Sequence, residues 1–225
     1  MSISDNVHLT LRRRLMSGHY VPGTQLKEEA VAADLDVSRT PVRSAIQRLI
    51  TEGLLEPAPK RGAIVTQWTA KDAEDIFNLR IMLEGYGASL AANLIDPAGI
   101  MEMKRLNNEM DAAARSKADG HLDEIHRLNL EFHKAIYQAC GSGHLRAFGC
   151  GLLEFPLVIG GFYIYDDEDI MQSIRQHAEI IAALEAGNPD WAKAAVTCHL
   201  AAAIERFRRS GTIGSTDAGQ RRDLS

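Results

Sequence analysis

The segment VSRTPVRSAIQRL, at residues 37–49, decides the fold of the N-terminal part of the chain. Ser38 is a residue type that caps helices, and Pro41 falls in the first turn, where its missing N–H costs little. We therefore expect a helix that opens at Ser38 and ends near Glu52, just before Gly53. Its apolar residues recur at helical spacing and predict a buried face. These residues are Val42, Ile46, Leu49 and Ile50.

A second face of this helix carries Arg39 and Arg43, four residues apart, with Thr40 and Ser44 beside them. The N-terminal residues of a recognition helix read base edges in the major groove of DNA. Arginine suits that task because its fork of donors matches O6 and N7 of guanine. The alternative is a pair of arginines on a solvated helix face, and the neighbouring segments bear on that choice.

Two shorter helices are predicted before this one, and a hairpin after it. The first helix surrounds residues 9–15, and the second covers Leu26–Leu35. The extended runs Leu54–Pro57 and Ala63–Trp68 flank a basic, glycine-containing tip and predict a hairpin. Helix, helix, helix, hairpin is the order of a winged helix-turn-helix, which favours the DNA-reading role for the arginines. We expect Arg61, at the wing tip, to reach a phosphate or the minor groove.

From Thr69 onward the pattern is almost wholly helical, which predicts an antiparallel bundle and a mainly α protein. We expect a DNA-binding domain at 1–68, an effector-binding and dimerisation domain at 71–210, and a polar, disordered tail at 211–225. Thr69 can cap the first helix of the bundle. Helices are predicted over Lys71–Asn93, from Asp96 and Pro97 onward, and at about 120–140, 143–163, 167–186 and 190–209.

Charge is distributed unevenly along the chain, whose formal net charge is −5. Residues 1–68 hold nine Lys and Arg against seven Asp and Glu, a net of +2, and residues 69–225 hold sixteen against twenty-three, a net of −7. A mildly basic front joined to an acidic rear fits a DNA-binding module that carries a different module behind it. We find no signal-peptide pattern and no apolar stretch near the roughly 18 residues of a membrane span. We therefore expect a cytoplasmic protein without a membrane partner.

Three histidines in the second half of the chain lie mid-helix on apolar faces. His133 shares a helix face with Asn129, four residues earlier, while His177 and His199 belong to two further predicted helices. Buried imidazoles need polar partners, and facing helices of a bundle can build metal sites from such side chains. Helical periodicity does not say whether the three converge. They are either ligands of one metal ion or core histidines that are satisfied separately.

Four segments of the N-terminal part resemble the GntR family of regulators. They are VPGTQL at 21–26, VSRTPVR at 37–43, RLITEGLL at 48–55 and RGAIV at 61–65. One departure concerns Glu29, because the family usually has an arginine there that contacts DNA, whereas a carboxylate repels phosphate. The resemblance implies that five residues lie at the DNA, namely Ser38, Arg39, Thr40, Arg43 and Gly62.

Residues 71–210 look like the all-helical, ligand-binding FCD domain of the FadR subfamily. Its metal-binding members carry an Asp and a His four residues apart, followed by one His on each of two later helices. The resemblance therefore implies a metal bound by Asn129, His133, His177 and His199. Asn replaces the usual Asp, which weakens coordination and leaves the charge of the ion uncompensated. Imidazole ligands suit a divalent transition metal, and we expect zinc or nickel.

Arg80 matches an arginine of that family on the first helix of the FCD domain. Open coordination positions on a cation favour an anionic effector, such as a small organic acid, and Arg80 could pair with its carboxylate. A surface salt bridge between Arg80 and Glu84, one helical turn later, is the alternative interpretation.

The resemblance implies a transcriptional regulator, which we expect to be a repressor that binds a palindromic operator in double-stranded DNA as a homodimer. A metal-sensing repressor is one alternative, and a DNA-binding protein whose bundle only dimerises is another. A helical-bundle metalloenzyme is the third, but the HExxH, paired ExxH and GxSxG motifs are all missing from the sequence. We therefore expect no catalytic residues.

Overall fold

The computed structural model describes residues 2–16, 19–59, 62–67, 69–153 and 165–210. Over these residues the protein is mainly helical, with nine helices and one small sheet, and the predicted fold class is confirmed. Four features expected from the sequence lie outside the described residues. They are Arg61, Trp68, the last part of the helix expected at 143–163, and the tail at 211–225.

The first six elements form a winged helix-turn-helix. In chain order they are α1 (Ile3–Met16), β1 (Gln25–Leu26), α2 (Glu28–Asp34), α3 (Arg39–Thr51), β2 (Leu55–Pro57) and β3 (Ala63–Val65). α3 packs against α1, α2 and β2. The predicted apolar face of α3 lies in this small core, where Val42, Ile46 and Leu49 are buried.

The three strands form an antiparallel sheet in the order β1-β3-β2. Leu26 in β1 and Pro57 in β2 both pair with Ala63 of β3. The prediction that the second helix begins at Leu26 is therefore wrong, since α2 begins at Glu28 after the extended residue Lys27. A strand of two residues is too short to show the alternation typical of strands. Leu26 therefore fits the helical spacing of the apolar residues that follow it and is wrongly included in the helix.

Gly62 brings the wing close to β1. Its φ is +85°, and a Cβ atom at this position would lie 2.1 Å from the carbonyl oxygen of Leu26. Backbone atoms cannot turn aside as a flexible side chain can, and a left-handed φ already disfavours other residue types. The wing therefore needs glycine here, whatever contact this residue makes with DNA.

The remaining six helices form the bundle. They are α4 (Ala70–Ala91), α5 (Pro97–Ser116), α6 (His121–Ala139), α7 (Gly143–Leu153), α8 (Asp167–Glu185) and α9 (Pro189–Ser210). Each begins within one residue of its predicted start. The agreement has a local cause, because capping residues stand where three of these helices begin. Thr69 and Asp72 form a reciprocal capping box at α4, while Asp96 and Asp166 each accept a backbone N–H at α5 and α8.

α6 occupies a central place in the bundle. It packs against α4, α5 and α7, while α9 packs against α4 and α8. Phe132 and Ile136 of α6 lie in the main core with Ile180 of α8 and Val196 of α9. Polar residues on the inner faces of α6, α8 and α9 are therefore enclosed by this core.

Candidate functional sites: a buried histidine cluster and a DNA interface

Three histidines from three helices meet in the bundle. α6 contributes His133, α8 contributes His177 and α9 contributes His199, and all three are buried. One ring nitrogen of each lies within 4.8 Å of the others. The ring centroids of His177 and His199 are 4.6 Å apart, and Phe132 stacks on His177 at 4.1 Å. The side chains whose convergence the sequence leaves open do converge.

Several nitrogens of this cluster lack hydrogen-bond partners. Neither ring nitrogen of His177 is hydrogen-bonded, and Nδ1 of His199 is also buried without a partner. Burial lowers the pKa of both rings well below the usual value, and the neighbouring histidine and arginine side chains act in the same direction. The two imidazoles are therefore neutral, which is the form that binds a metal ion. Because an unmade buried hydrogen bond is costly, the cluster is suited to a ligand.

Asn129 lies one helical turn before His133 on α6. Its side chain is buried, and its Oδ1 atom has no hydrogen-bond partner. Asn129 and His133 line the same cavity beside the cluster. The structure thus brings the amide oxygen close to the imidazoles with which the sequence groups it. The described residues that line the cavity are Phe77, Arg80, Asn129, His133, Tyr165, Ser173, His199, Leu200, Ala203 and Phe207.

Arg80 is paired with Glu84, as one of the two interpretations of the sequence requires, but the pair is not at the surface. Arg80 Nε donates to Glu84 Oε1 at 2.6 Å, and both side chains are buried. The second terminal nitrogen of the guanidinium has no partner, and the residue lines the cavity. Arg80 therefore has a donor left for an anion even though it is held by Glu84.

Glu84 also contacts the histidine cluster. Its Oε2 atom lies 2.6 Å from His133 Nδ1, which is an ion-pair distance, although the two atoms do not form a hydrogen bond of good geometry. Burial raises the pKa of the Glu84 carboxyl, but the charges of Arg80 and His133 outweigh this effect and lower it to about 2. A carboxylate therefore lies in the core against a candidate ligand. The sequence suggests Glu84 only as a partner of Arg80, because nothing in the spacing relates α4 to α6.

A second buried arginine near the cluster was not predicted. Arg206 donates to Gln172 Oε1 at 2.9 Å, and its guanidinium lies 5.0 Å from the centroid of the Tyr165 ring. Its Nε atom is 3.3 Å from Asp169 Oδ1, while one terminal nitrogen has no partner. The sequence signal was weak, because an arginine near the end of a helix usually faces solvent.

The residues present fit a divalent transition metal. Imidazole nitrogens bind zinc at about 2.0–2.1 Å, so three nitrogens on one ion lie roughly 3.0–3.5 Å apart. One nitrogen of each imidazole lies within 4.8 Å of the others, so the cluster is already close to that spacing. Three imidazoles and an amide oxygen suit zinc and nickel alike.

The predicted DNA-reading residues lie at the exposed N-terminal end of α3. Ser38, Arg39, Thr40 and Arg43 are all exposed, and Ser38 holds the N-cap position. The Ser38 side chain does not accept the expected capping hydrogen bond from a backbone N–H of the first turn. Glu29, the departure from the family pattern, contacts Arg39 with 2.9 Å between Oε1 and a terminal nitrogen.

The DNA-binding module touches the bundle through α1 and α6. Arg13 Nε of α1 lies 3.9 Å from Asp123 Oδ2 in the first turn of α6. One turn further along α6, His126 is buried, and burial lowers its pKa to about 4 with a smaller contribution from Arg12 of α1. The helix that carries Asn129 and His133 is therefore in contact with the helix that begins the DNA-binding module.

Comparison with known families identifies both halves of the chain. Residues 3–65 match the model described as "Bacterial regulatory proteins, gntR family", and residues 75–202 match the FCD domain. The chain belongs to the gntR family of bacterial regulatory proteins. This gntR-family regulator carries an FCD domain over more than half of its length.

Whole-length relatives agree with this assignment. The regulator is similar to the HTH-type transcriptional regulator YdhC of Bacillus subtilis (strain 168), with 29% identity over 193 residues and 84% of each chain covered. It is also similar to the probable D-xylose utilization operon transcriptional repressor of Paenarthrobacter nicotinovorans, with 27% identity over 218 residues, covering 96% of this chain and 93% of that one. The fold is shared with Escherichia coli McbR/YncC, with a TM-score of 0.68, 23% identity, and coverage of 93% and 99%.

The gntR-family regulator is thus a DNA-binding transcriptional regulator and not an enzyme. Regulators of this family bind DNA operators and small-molecule effectors, and FCD domains can bind metals. Among the helices in the described part of the chain, none is both long enough and apolar enough to cross a membrane.

Proposed function

We propose that this regulator is a repressor that leaves its operator when a small carboxylate binds beside a metal ion in the FCD domain. The observation that carries the proposal is the buried cluster of His133, His177 and His199 next to a cavity that Asn129 and Arg80 line. In this proposal, residues 1–68 would bind DNA, and residues 71–210 would bind the effector and dimerise. The similarity to the probable D-xylose utilization operon transcriptional repressor favours repression over activation.

The ion would be held by the three imidazoles and by the amide oxygen of Asn129. When bound, a zinc or nickel ion supplies a positive charge with open positions for an anion. Arg80 adds a second attraction on the cavity wall, because its unpartnered terminal nitrogen can donate to a carboxylate. The neutral ligand set leaves most of the charge of the ion uncompensated, which favours an anionic effector over a neutral one.

α6 would connect the effector site to the DNA. It carries Asn129 and His133, and two of its other residues face α1 of the DNA-binding module. An effector changes operator affinity only if it binds the two arrangements of the modules with different affinities. A shift of α6 on effector binding would move His126 and Asp123 against α1 and so bias the pose of the winged helix.

The operator would be a palindrome in double-stranded DNA, bound by a homodimer with one recognition helix in each half-site.

α4 presents an exposed apolar stripe, Leu79, Met82 and Tyr86, at helical spacing i, i+3 and i+7. We assign this stripe to the contact with a second copy of the chain. A Met82→Glu variant should then sediment as a monomer, whereas Met101→Glu, at another exposed methionine on α5, should not. Equal behaviour of the two variants contradicts this assignment of the dimer face.

Metal analysis of the purified protein tests the ligand set. His133→Ala and His177→Ala should lose the bound metal, while His144→Ala, at an exposed histidine on α7, should retain it. If the first two variants keep the metal content of the parent protein, the proposed site is wrong.

Isothermal titration tests the effector class. Small mono- and dicarboxylates should bind the metal-loaded protein, and a chelator should abolish their binding. Binding that persists after chelation contradicts the metal-assisted pocket. Release of DNA by zinc or nickel ions alone, without any carboxylate, favours the metal-sensing alternative.

A gel-shift titration tests the recognition helix. Arg43→Ala should bind a selected operator duplex about 5- to 150-fold more weakly than the parent protein, since one good bidentate base contact is worth about 1–3 kcal/mol. Unchanged affinity refutes the assignment of α3 to base reading.

A further inference from the structure

Glu28, the first residue of α2, accepts three hydrogen bonds from Arg43, the most exposed arginine of α3. Arg43 Nε lies 3.0 Å from Glu28 Oε1, and a terminal nitrogen of Arg43 lies 2.9 Å from Oε2. Arg39 reaches Oε2 of the same carboxylate at 3.3 Å. The Glu28 side chain is only 12% exposed, whereas that of Arg43 is 66% exposed. A largely covered carboxylate thus supports an arginine that projects into solvent.

The neighbouring Glu29 makes a different contact. Its side chain is 52% exposed, and its Oε1 atom lies 2.9 Å from a terminal nitrogen of Arg39. Glu28 and Glu29 both stand in the first turn of α2, where the helix dipole favours a negative charge even without a partner. The hydrogen bond from Arg43 also lowers the pKa of Glu28, so the carboxylate is ionised at neutral pH.

The hydrogen bonds to Glu28 use only one edge of the Arg43 guanidinium. The guanidinium has five N–H donors in a rigid plane. Nε and one terminal nitrogen face Glu28, so the edge between the two terminal nitrogens still has a donor on each. Two parallel donors on one edge are what O6 and N7 of guanine require. Because Glu28 holds one edge of the guanidinium, the orientation of the other edge is also fixed. The Arg43 side chain therefore loses less conformational entropy when it binds a base.

We propose that Glu28 is a positioning residue for base recognition, because it holds Arg43 in the orientation that presents its outer edge to a guanine. The carboxylate also discourages phosphate contacts by the same arginine in non-specific DNA, since it already neutralises that charge. Glu28 therefore raises the ratio of operator affinity to non-specific affinity. This inference depends on the proposed role of α3 in reading bases.

The decisive comparison is between Glu28→Gln and Glu29→Gln, which each remove one negative charge from adjacent positions of the same helix turn. A duplex is first selected by the parent protein from a pool of randomised palindromes, and the selection is repeated with each variant. Glu29→Gln should keep the base preferences of the parent, with tighter binding to both selected and scrambled duplexes. Glu28→Gln should lose the preference for guanine at one base pair of each half-site, and its ratio of selected to scrambled affinity should fall about tenfold.

Two further variants separate orientation from charge and from folding. Glu28→Asp keeps the charge but shortens the side chain, so it should also weaken the guanine preference while its thermal unfolding stays close to that of the parent. In an Arg43→Ala background, Glu28→Gln should have no further effect on base preference, because the group it positions is gone.

The outcomes distinguish this inference from the proposed function. If Arg43→Ala binds the selected duplex as tightly as the parent protein, α3 does not read bases through Arg43, and the proposed function fails at that point. If Arg43→Ala weakens binding but Glu28→Gln and Glu29→Gln give the same base preferences, the role of α3 stands. The positioning role of Glu28 is then overturned.

Discussion

Glu84 Oε2 lies 2.6 Å from His133 Nδ1 in the core of the bundle, and Arg80 is bound to the other oxygen of the same carboxylate. A carboxylate that accepts a hydrogen bond from one ring nitrogen of a ligand histidine fixes the tautomer and leaves the other nitrogen for the metal, and Glu84 is close enough to His133 to take this role when a metal is bound. The pair also brings a negative charge close to a ligand set that is otherwise neutral. If the cluster binds a metal ion, Glu84 would support it from α4, a helix that provides none of the four candidate ligands.

Glu84→Gln should weaken zinc binding about 10–100-fold, because partners of this kind typically contribute that much to metal affinity. The variant also leaves Arg80 as a buried charge without a counter-ion, which costs about 3–5 kcal/mol of folding stability. Competition with a fluorescent zinc chelator measures the affinity, and circular dichroism shows that the variant is folded at the temperature used.

Glu185→Gln is the matched control for this prediction. Glu185 is an exposed glutamate that pairs with Lys104 at 2.8 Å on the outside of the bundle. Zinc affinity should not change in this variant. An equal loss in both variants, or no loss in Glu84→Gln, contradicts a role for Glu84 at the metal.

Asn129→Asp should tighten zinc binding, since it replaces a neutral oxygen ligand with a charged one. The same change should lower the stability of the metal-free protein by about 1–3 kcal/mol, because it puts a charged carboxylate where the buried Oδ1 atom already lacks a hydrogen-bond partner. Thermal unfolding with and without zinc should therefore show opposite effects of one substitution.

Asn107→Asp provides the comparison. Asn107 on α5 is also buried and also has an Oδ1 atom without a partner, but it does not line the cavity at the histidine cluster. This variant should be destabilised with and without zinc, and its zinc affinity should equal that of the parent. Asn129 is not a ligand if Asn107→Asp also binds zinc more tightly than the parent, or if the zinc affinity of Asn129→Asp does not increase.

The sequence predicted most where the signal is local. Thr69 and Asp96 are capping residues at the starts of α4 and α5, and the spacing of Val42, Ile46 and Leu49 gave the buried face of α3. Such features depend on residues within one or two helical turns, which a single sequence shows directly.

What the sequence did not predict depends on contacts between distant segments. β1 is a strand only because Leu26 pairs with Ala63, and no periodicity extends over two residues. The contact of Glu84 with His133 joins α4 to α6, and the burial of Arg206 depends on α8. The family resemblance grouped the three histidines correctly, whereas helical spacing left their convergence open.

Thr69→Ala should destabilise the protein by about 1 kcal/mol, because it removes half of the capping box at the start of α4. The Thr69 side chain accepts from the Asp72 backbone N–H at 3.1 Å, and Asp72 Oδ2 accepts the Thr69 backbone N–H at 2.9 Å. Urea unfolding measures the change. Thr197→Ala removes a hydroxyl that bonds to the Lys193 carbonyl inside α9, and it should leave the stability unchanged or slightly higher. Equal losses in the two variants contradict a specific role for the cap.

Gly62→Ala should disrupt the wing for two reasons, the left-handed φ of this residue and its close approach to the Leu26 backbone. Gly120→Ala is the control, because only the first reason applies there. Both glycines have a left-handed φ, +85° at Gly62 and +78° at Gly120. A Cβ atom at Gly62 would lie 2.1 Å from the Leu26 carbonyl oxygen, whereas one at Gly120 meets nothing within 4 Å. Gly120→Ala should therefore cost only the backbone strain, about 1–2 kcal/mol. Gly62→Ala should cost more, because β1 and the wing must move apart.

Amide hydrogen exchange shows whether β1 and the wing have moved apart. In Gly62→Ala the amides of Ala63 and Val65 should exchange faster, because the pairing of β3 with β1 is lost, while the amides of α6 stay protected. Operator affinity should fall with the wing in this variant and stay unchanged in Gly120→Ala. The contrary outcome is that both variants lose the same stability and that the exchange of β3 amides does not change. The left-handed φ would then explain the need for glycine at position 62, and the short distance to Leu26 would not contribute.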